Sequence, residues 1–269
     1  MHPMLNIAVR AARKAGSYIA RASERLDRIQ VENKGVNDYV SEVDRNAERI
    51  IIDLLQEKFP SHSFLGEESG LTQHMGDDTY QWIIDPLDGT TNFLHGFPQF
   101  AVSIALVHEG IIEQGIVHDP SRDEDFIASR GRGAQVNNRR MRVSNRPNLE
   151  GCLLGTGMPF RPDQKEYQDH YWATLKAFAA KTTGIRRMGA AALDLAYVAS
   201  ARIDGFWEFG LKPWDMAAGV LLIREAGGMV CDHQGGEHFL DTGHIVTASP
   251  KLTKHMLKVV GNPTGQAST

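Results

Sequence analysis

At 269 residues and 42% hydrophobic content, the chain is long enough for one large domain or two tightly joined lobes around a sizeable core, which excludes a disordered or low-complexity protein. A net charge of −4 and an isoelectric point near 6.3 argue against broad electrostatic binding of nucleic acid or anionic membranes and leave only local patches for such contacts. Cys152 and Cys231 are too few for a disulfide framework and fit core positions in a reducing compartment.

Leu5, Ala8, Val9, Ala12, Gly16 and Ile19 recur at helical spacing, with Arg10, Arg13 and Lys14 mostly on the other side, so the spacing predicts a helix over about residues 3–25 rather than a signal peptide. No run approaches the ~20 apolar residues that a bilayer crossing needs, and the chain reads as cytoplasmic, with no membrane partner. Residues 31–39 read as an irregular or extended connection. Ser41 opens a second helix with Val43, Ala47, Ile50, Ile51, Leu54 and Leu55 on one face, ending before Pro60. Asp44 falls in its first turn, where an acid commonly interacts with the helix dipole and free N–H groups. Next, the short strand Ser63-Phe64-Leu65-Gly66 carries Glu67 and Glu68 to its end, and alternation lets only one of them reach a shared site. The polar residues 71–80 read as a mobile loop.

Trp82-Ile83-Ile84 reads as a buried strand halted by Pro86, from whose end Asp85 and Asp88 leave together. Two carboxylates so close are unfavourable unless one stays protonated or a cation neutralises them. Hard oxygen ligands suit Mg2+, and Gly89-Thr90-Thr91 can open a helix whose N–H groups bind phosphate. The same octapeptide is also good turn chemistry, and on this stretch alone both readings stand. Residues 101–107, 111–117 and 126–129 predict an antiparallel meander. Arg130, Arg132, Arg139, Arg140 and Arg142 cluster at its margin and are best explained as solvated hairpin tips.

In the second half, residues 152–156 read as a strand, 157–162 as a loop and 164–180 as helix. Residues 190–201 form an alanine-rich helix holding Asp194, read as a structural hydrogen-bonding residue outside the site. Residues 203–209 predict a strand containing Glu208. Pro213, Trp214 and Asp215 then head an apolar helix that stops at Gly227-Gly228, with Asp215 at an N-cap or first-turn position. Strands at 229–232 and 245–248 and a helix at 250–260 complete the chain, with no internal repeat.

Three blocks, Gly66-Glu67-Glu68-Ser69, residues 82–93, and Trp214-Asp215 through Glu225-Ala226-Gly227-Gly228, together with Asp44, closely resemble the inositol monophosphatase family of Mg2+-dependent, lithium-sensitive phosphatases. The resemblance runs over nearly the whole chain. It implies an α+β architecture of alternating αβαβα layers, a single domain over 1–269 with lobes of approximately 1–145 and 146–269, and a homodimer. It places metal ligands at Glu67, Asp85, Asp88 and Asp215 and at the backbone carbonyl of Leu87. It assigns activation of the attacking water to Asp44 and Thr90. Phosphate binding falls to Gly89 and Thr90 N–H groups beside Asp88, and the substrate's hydroxyl-bearing side to Glu208, Gly189 and Ala191.

The implied activity is hydrolysis of inositol 1-phosphate by metal-activated water, with no Ser or Cys nucleophile. The same core would serve fructose 1,6-bisphosphate, a nucleotide 3′-phosphate, histidinol phosphate or a glycerol phosphate, with specificity residing around 157–162, 184–191 and Glu208. A bacterial branch of the family is associated with ribosomal RNA transcription antitermination and RNA polymerase factors, which implies such partners here. The arginines of the margin cluster and Arg186-Arg187 are then possible contact surfaces, with ordinary solvation the plainer account of each.

Overall fold

The apolar runs of this sequence are unbroken because its central strands are covered on both faces, a pattern that requires layers of helix on each side of a sheet. The computed structural model describes residues 2–35, 38–72 and 79–263. The first half contains α1 (Pro3–Ser23), the antiparallel hairpin β1 (Val31–Gly35) and β2 (Asp38–Ser41), α2 (Glu42–Lys58), β3 (Ser63–Gly66), β4 (Gly70–Thr72), β5 (Tyr80–Asp88) and α3 (Thr90–Leu94). A meander follows: β6 (Ala101–His108), β7 (Ile111–Asp119), β8 (Glu124–Ser129), β9 (Ala134–Val136) and β10 (Arg139–Arg140). The second half contains β11 (Leu153–Thr156), α4 (Gln168–Ala179), β12 (Gly184–Arg186), α5 (Ala191–Ala199), β13 (Gly205–Glu208), α6 (Pro213–Glu225), β14 (Met229–Cys231), α7 (Phe239–Thr242), β15 (Ile245–Ala248) and α8 (Pro250–Gly261).

An eight-stranded sheet runs β10-β9-β8-β7-β6-β5-β3-β4, and a five-stranded sheet runs β12-β11-β13-β15-β14. Successive residues of β5 point into different cores. Trp82 and Ile84 pack with α1 and α2, while Ile83 packs with α5 and α6. In the small sheet, Phe206 joins the α5/α6 core and its neighbour Trp207 joins Tyr171, Phe178, Met256 and Val260 of α4 and α8. The order is therefore helix, sheet, helix, sheet, helix, as the resemblance implied. Trp82 is fully buried and its indole N–H donates to His62 Nδ1 at 3.1 Å, so a truncation there removes both packing and a satisfied polar group, at a cost of roughly 3–5 kcal/mol.

Several expectations need correction. Of the connection expected to be irregular or extended, Val31–Gly35 and Asp38–Ser41 are extended and pair antiparallel. Leu71 and Thr72 belong to β4, and residues 73–78 of the expected mobile loop lie outside the described residues. Pro86 does not halt the strand: β5 continues to Asp88, and its register against β6 shifts between Asp85 and Asp88. A bulge is where a sheet accepts a residue with no N–H to donate, and it also re-aims side chains. The helix expected from residue 164 begins as a 3-10 turn over Pro162–Tyr167 before α4. Among the described residues, no helix is long and apolar enough to cross a membrane.

Candidate active site

The bulged end of β5, the end of β3, the N-termini of α3, α5 and α6, and the end of β13 meet around one cavity of about 190 Å³. Of the residues named from sequence, Glu67, Asp85, Leu87, Asp88, Gly89, Thr90, Gly189, Ala191, Glu208 and Asp215 all line it. Asp44 does not line it and is joined to it by a hydrogen bond, in which the Thr90 hydroxyl donates to Asp44 Oδ1 at 2.9 Å. Glu68 stays outside the wall, its N–H donating to Glu48 Oε2 at 3.0 Å. Gly66 permits this turn, since a Cβ there would sit 2.4 Å from that same Glu48 oxygen.

Three of the acids are held by backbone N–H groups. Leu87 N–H donates to Asp85 Oδ1 at 3.0 Å, Ala192 N–H at the start of α5 donates to Asp88 Oδ2 at 2.7 Å, and Lys212 N–H donates to Asp215 Oδ2 at 2.7 Å. Asp215 is thus both the first-turn acid of α6, behind Pro213, and a wall residue of the cavity. Gly89 begins α3 at φ 91°, and a Cβ there would press to 2.8 Å from the Gln99 carbonyl, so glycine is required on both counts. Asn92 then ties the two halves of the chain together, donating at 2.8 Å to the carbonyls of Gln99 and Met188.

The electrostatics follow from this crowding. Burial, then the neighbouring Glu67, Asp88 and Asp215 carboxylates, push Asp85 well above the usual carboxylate range. Asp88 is raised in the same way by burial and Asp215. Burial lifts Asp215 to about 6 against the opposing Lys212 hydrogen bond, and burial plus Asp215 lift Glu208 to about 8. Asp44 is raised by burial, opposed by hydrogen bonds from Ser41 and Thr90. The cysteines are buried and free, and burial pushes both thiols up to about 11, so neither offers a ready thiolate.

Among the described residues, no three His, Cys, Asp or Glu side chains gather closely enough to hold an ion by themselves. The cavity nevertheless offers carboxylate oxygens together with the Leu87 residue, a hard, all-oxygen donor set whose members raise one another's proton affinity. That chemistry fits a small divalent cation such as Mg2+.

Other wall residues are not singled out from sequence as site residues, and the sequence reading sets Asp194 outside the site. Asp194 is 1% exposed with Oδ1 unpartnered, and it lines the cavity beside Glu208 rather than lying apart from it. A carboxylate inside an alanine-rich helix was the available signal. Phe160, Arg161 and Arg187 also line the wall, within the 157–162 and 184–191 stretches to which specificity was assigned from sequence.

A layered α/β fold with strand-end aspartates, a Gly-Thr-Thr helix start and an acid from the second half in one cavity defines a phosphatase fold of the sugar-phosphate type. The chain belongs to the inositol monophosphatase family, whose model matches residues 1–262. It is similar to a protein of Pseudomonas aeruginosa called Nus factor SuhB, at 55% identity over 97% of this chain and 96% of that one. The crystal structure of the extragenic suppressor protein suhB from Bartonella henselae superposes with a TM-score of 0.93 at 46% identity, covering 97% of this chain and 99% of the other. The inositol monophosphatase from Anabaena superposes with a TM-score of 0.84 at 37% identity, covering 96% and 94%.

Proposed function

We propose that this chain is a Mg2+-dependent phosphomonoesterase that hydrolyses inositol 1-phosphate to inositol and phosphate. The observation that supports it most is the meeting of Glu67, Asp85, Asp88 and Asp215, drawn from both halves of the chain, around one cavity. When bound by these four carboxylates and the Leu87 carbonyl, Mg2+ supplies charge neutralisation for the transferring phosphoryl group and lowers the pKa of water.

The chain's own groups do the rest. Gly89 and Thr90, at the start of α3, offer N–H groups to the phosphate oxygens. The Thr90 hydroxyl, donating to Asp44, turns its lone pairs toward a water and passes the water's proton to that carboxylate. Asp44, raised by burial, is suited to accept it. Glu208, Gly189 and Ala191 receive the hydroxyl-bearing side of the substrate. The leaving inositol oxygen takes a proton from solvent as the P–O bond breaks.

The test is steady-state hydrolysis across inositol 1-phosphate, fructose 1,6-bisphosphate, a nucleotide 3′-phosphate, histidinol phosphate and glycerol phosphates, with and without Mg2+. We expect Mg2+-dependent turnover, inhibition by Li+ and the highest kcat/KM for inositol 1-phosphate. A clearly better substrate moves the assignment to that compound.

A second reading concerns partners. The similarity to a protein called Nus factor SuhB, at 55% identity, supports a role with transcription antitermination factors or RNA polymerase, separable from turnover. A cytoplasmic homodimer belongs to the same reading.

A further inference from the structure

Phe209, the residue after Glu208, is ringed by Tyr167 of the 3-10 turn, His170 of α4, His233 beyond β14 and His244 before β15, with ring centroids 5.4–6.3 Å away. The proposed chemistry uses none of these rings. His244 is joined to the backbone of this segment, since the Gly210 N–H donates to His244 Nδ1 at 3.3 Å. That bond requires an unprotonated Nδ1, so the ring is neutral with its proton on Nε2. His244 is buried, and it meets Tyr167 at 4.6 Å and His233 at 4.7 Å edge to face, which leaves the ring little room to turn.

The Gly210 peptide carries part of the cavity wall. Its carbonyl accepts from the Arg161 guanidinium at 3.1 Å and from Gln164 Nε2 at 3.2 Å, and both side chains line the cavity, as do Glu208 and Leu211. Gly210 sits at φ 76°, and a Cβ there would lie 3.0 Å from Gln164 Nε2, so Gln164 closes over bare backbone. The Leu211 N–H donates to the Gly243 carbonyl at 2.9 Å, which ties residues 210–211 to 243–244. Protonating Nδ1 replaces an acceptor with a second donor facing the Gly210 N–H, and the contact turns from attractive to repulsive. The surroundings set when this happens. Burial, then His233 and His170, oppose a charge on His244, while Glu166 and Asp232 favour it, and the balance lowers its proton affinity. Tyr167, raised above its ordinary value by its hydrogen bond with Glu166, stays neutral throughout. The bond to Gly210 is therefore present at neutral pH and lost in acid.

We infer that His244 is a positioning residue that makes the cavity respond to acid: on taking up a proton at Nδ1 it releases the Gly210 N–H, and the Arg161 and Gln164 part of the wall loses its anchor. Substrate binding then weakens in mild acid, and the effect falls on KM more than on kcat because the released segment carries none of the proposed water-activating groups. The effect on KM rests on the phosphomonoesterase reading, and the release of Gly210 does not.

The test compares the full-length wild type with H244N, whose Oδ1 can stand where Nδ1 does and accepts at every pH, with H244Q in its place if H244N does not fold. Amide hydrogen exchange over residues 208–212 is read by mass spectrometry for both proteins at the same pH, so that the intrinsic exchange rate cancels. We expect equal protection at pH 7.5 and, at pH 5.5, protection at least about fivefold lower in the wild type, which is what one hydrogen bond is worth. With inositol 1-phosphate and Mg2+, the wild-type KM should rise between these pH values at least about fivefold more than that of H244N, with kcat changing alike in both. Titration of the substrate and of the cavity carboxyls is common to the two proteins and cancels. H244L, which has no acceptor, should show the raised KM at both pH values. Equal exchange in the two proteins at pH 5.5 overturns the inference, and so does a KM that responds to acid alike in both. Loss of the acid response in H233Q or H170Q, with H244N still responding, would assign the proton to another ring and overturn it too. A wild type that hydrolyses nothing at either pH removes the phosphatase reading, and the exchange measurement still decides whether His244 releases Gly210.

Discussion

The Thr90 hydroxyl donates to Asp44 Oδ1 at 2.9 Å, joining the first residue of α3 to the first turn of α2 across 46 positions of sequence. The other Asp44 oxygen is already engaged by the Ser41 N–H at 2.8 Å and by the Ser41 hydroxyl, so the carboxylate caps its own helix and presents one oxygen to the site. The two jobs can be separated. Thr90→Ala leaves the cap intact and is expected to lower kcat at least about 100-fold with little change in Tm, while Thr90→Ser retains most activity. Asp44→Ala should lose activity and, by removing the cap, roughly 1 kcal/mol of stability as well. Thr90→Ala with normal kcat would detach this pair from the chemistry.

Glu208 occupies the space that a side chain at 157 would need: a Cβ on Gly157 falls 1.8 Å from Glu208 Oε1. Gly157→Ala must therefore displace the carboxylate or the loop. We expect KM for inositol 1-phosphate to rise about tenfold or more, while turnover of p-nitrophenyl phosphate, which presents no hydroxyls to Glu208, changes much less. Equal effects on the two substrates would argue against a hydroxyl-binding role for Glu208.

The raised carboxyl groups make a pH prediction for the Mg2+-free protein. Glu208 moves from its ordinary 4.5 up to about 8 and Asp215 from 3.8 up to about 6 on folding. The folded state thus binds protons that the unfolded chain has released, and stability falls as pH rises through this window. Tm in EDTA should decline from pH 5 to pH 8.5, and Glu208→Gln should flatten the upper part of that decline. Added Mg2+ should raise Tm more at pH 8 than at pH 5, because a cation favours the ionised carboxylates. A Tm that rises steadily with pH in EDTA contradicts the electrostatic account.

A partner role is tested by recovery from lysate. Asp88→Asn, silent in turnover, should still retain RNA polymerase or antitermination factors if binding is separable, and charge-reversing changes at exposed Arg139 and Arg140 should reduce that recovery. Recovery of none of these partners by the wild type leaves only the enzyme reading.

Much of the layout was legible because local chemistry and global fold agree. The Asp85 to Thr91 stretch announces its site in seven residues at the end of β5 and the start of α3, and Asp215 sits behind a proline at a helix start, where sequence signals are strong. Pro86 misled because a proline inside a strand normally ends it, whereas here a bulge absorbs it. Asp194 was set outside the site, and Arg187 was placed only within the broader 184–191 specificity stretch, for a different reason. Their place in the cavity depends on α5 and β12 meeting the end of β5, a contact between residues about a hundred positions apart that no local pattern encodes, as the Asn92 bond to Met188 illustrates.

The most direct test of the account is Mg2+-dependent phosphate release from inositol 1-phosphate by the wild type and Asp88→Asn, with folding of both checked by circular dichroism and Tm. Asp88 is 9% exposed, held by Ala192 N–H and repelled by Asp215, so it is central to the cavity rather than to a distant support. The account predicts release by the wild type that stops in EDTA, and a loss of at least about 1,000-fold in a folded Asp88→Asn protein. Near-normal release by the folded variant would contradict it.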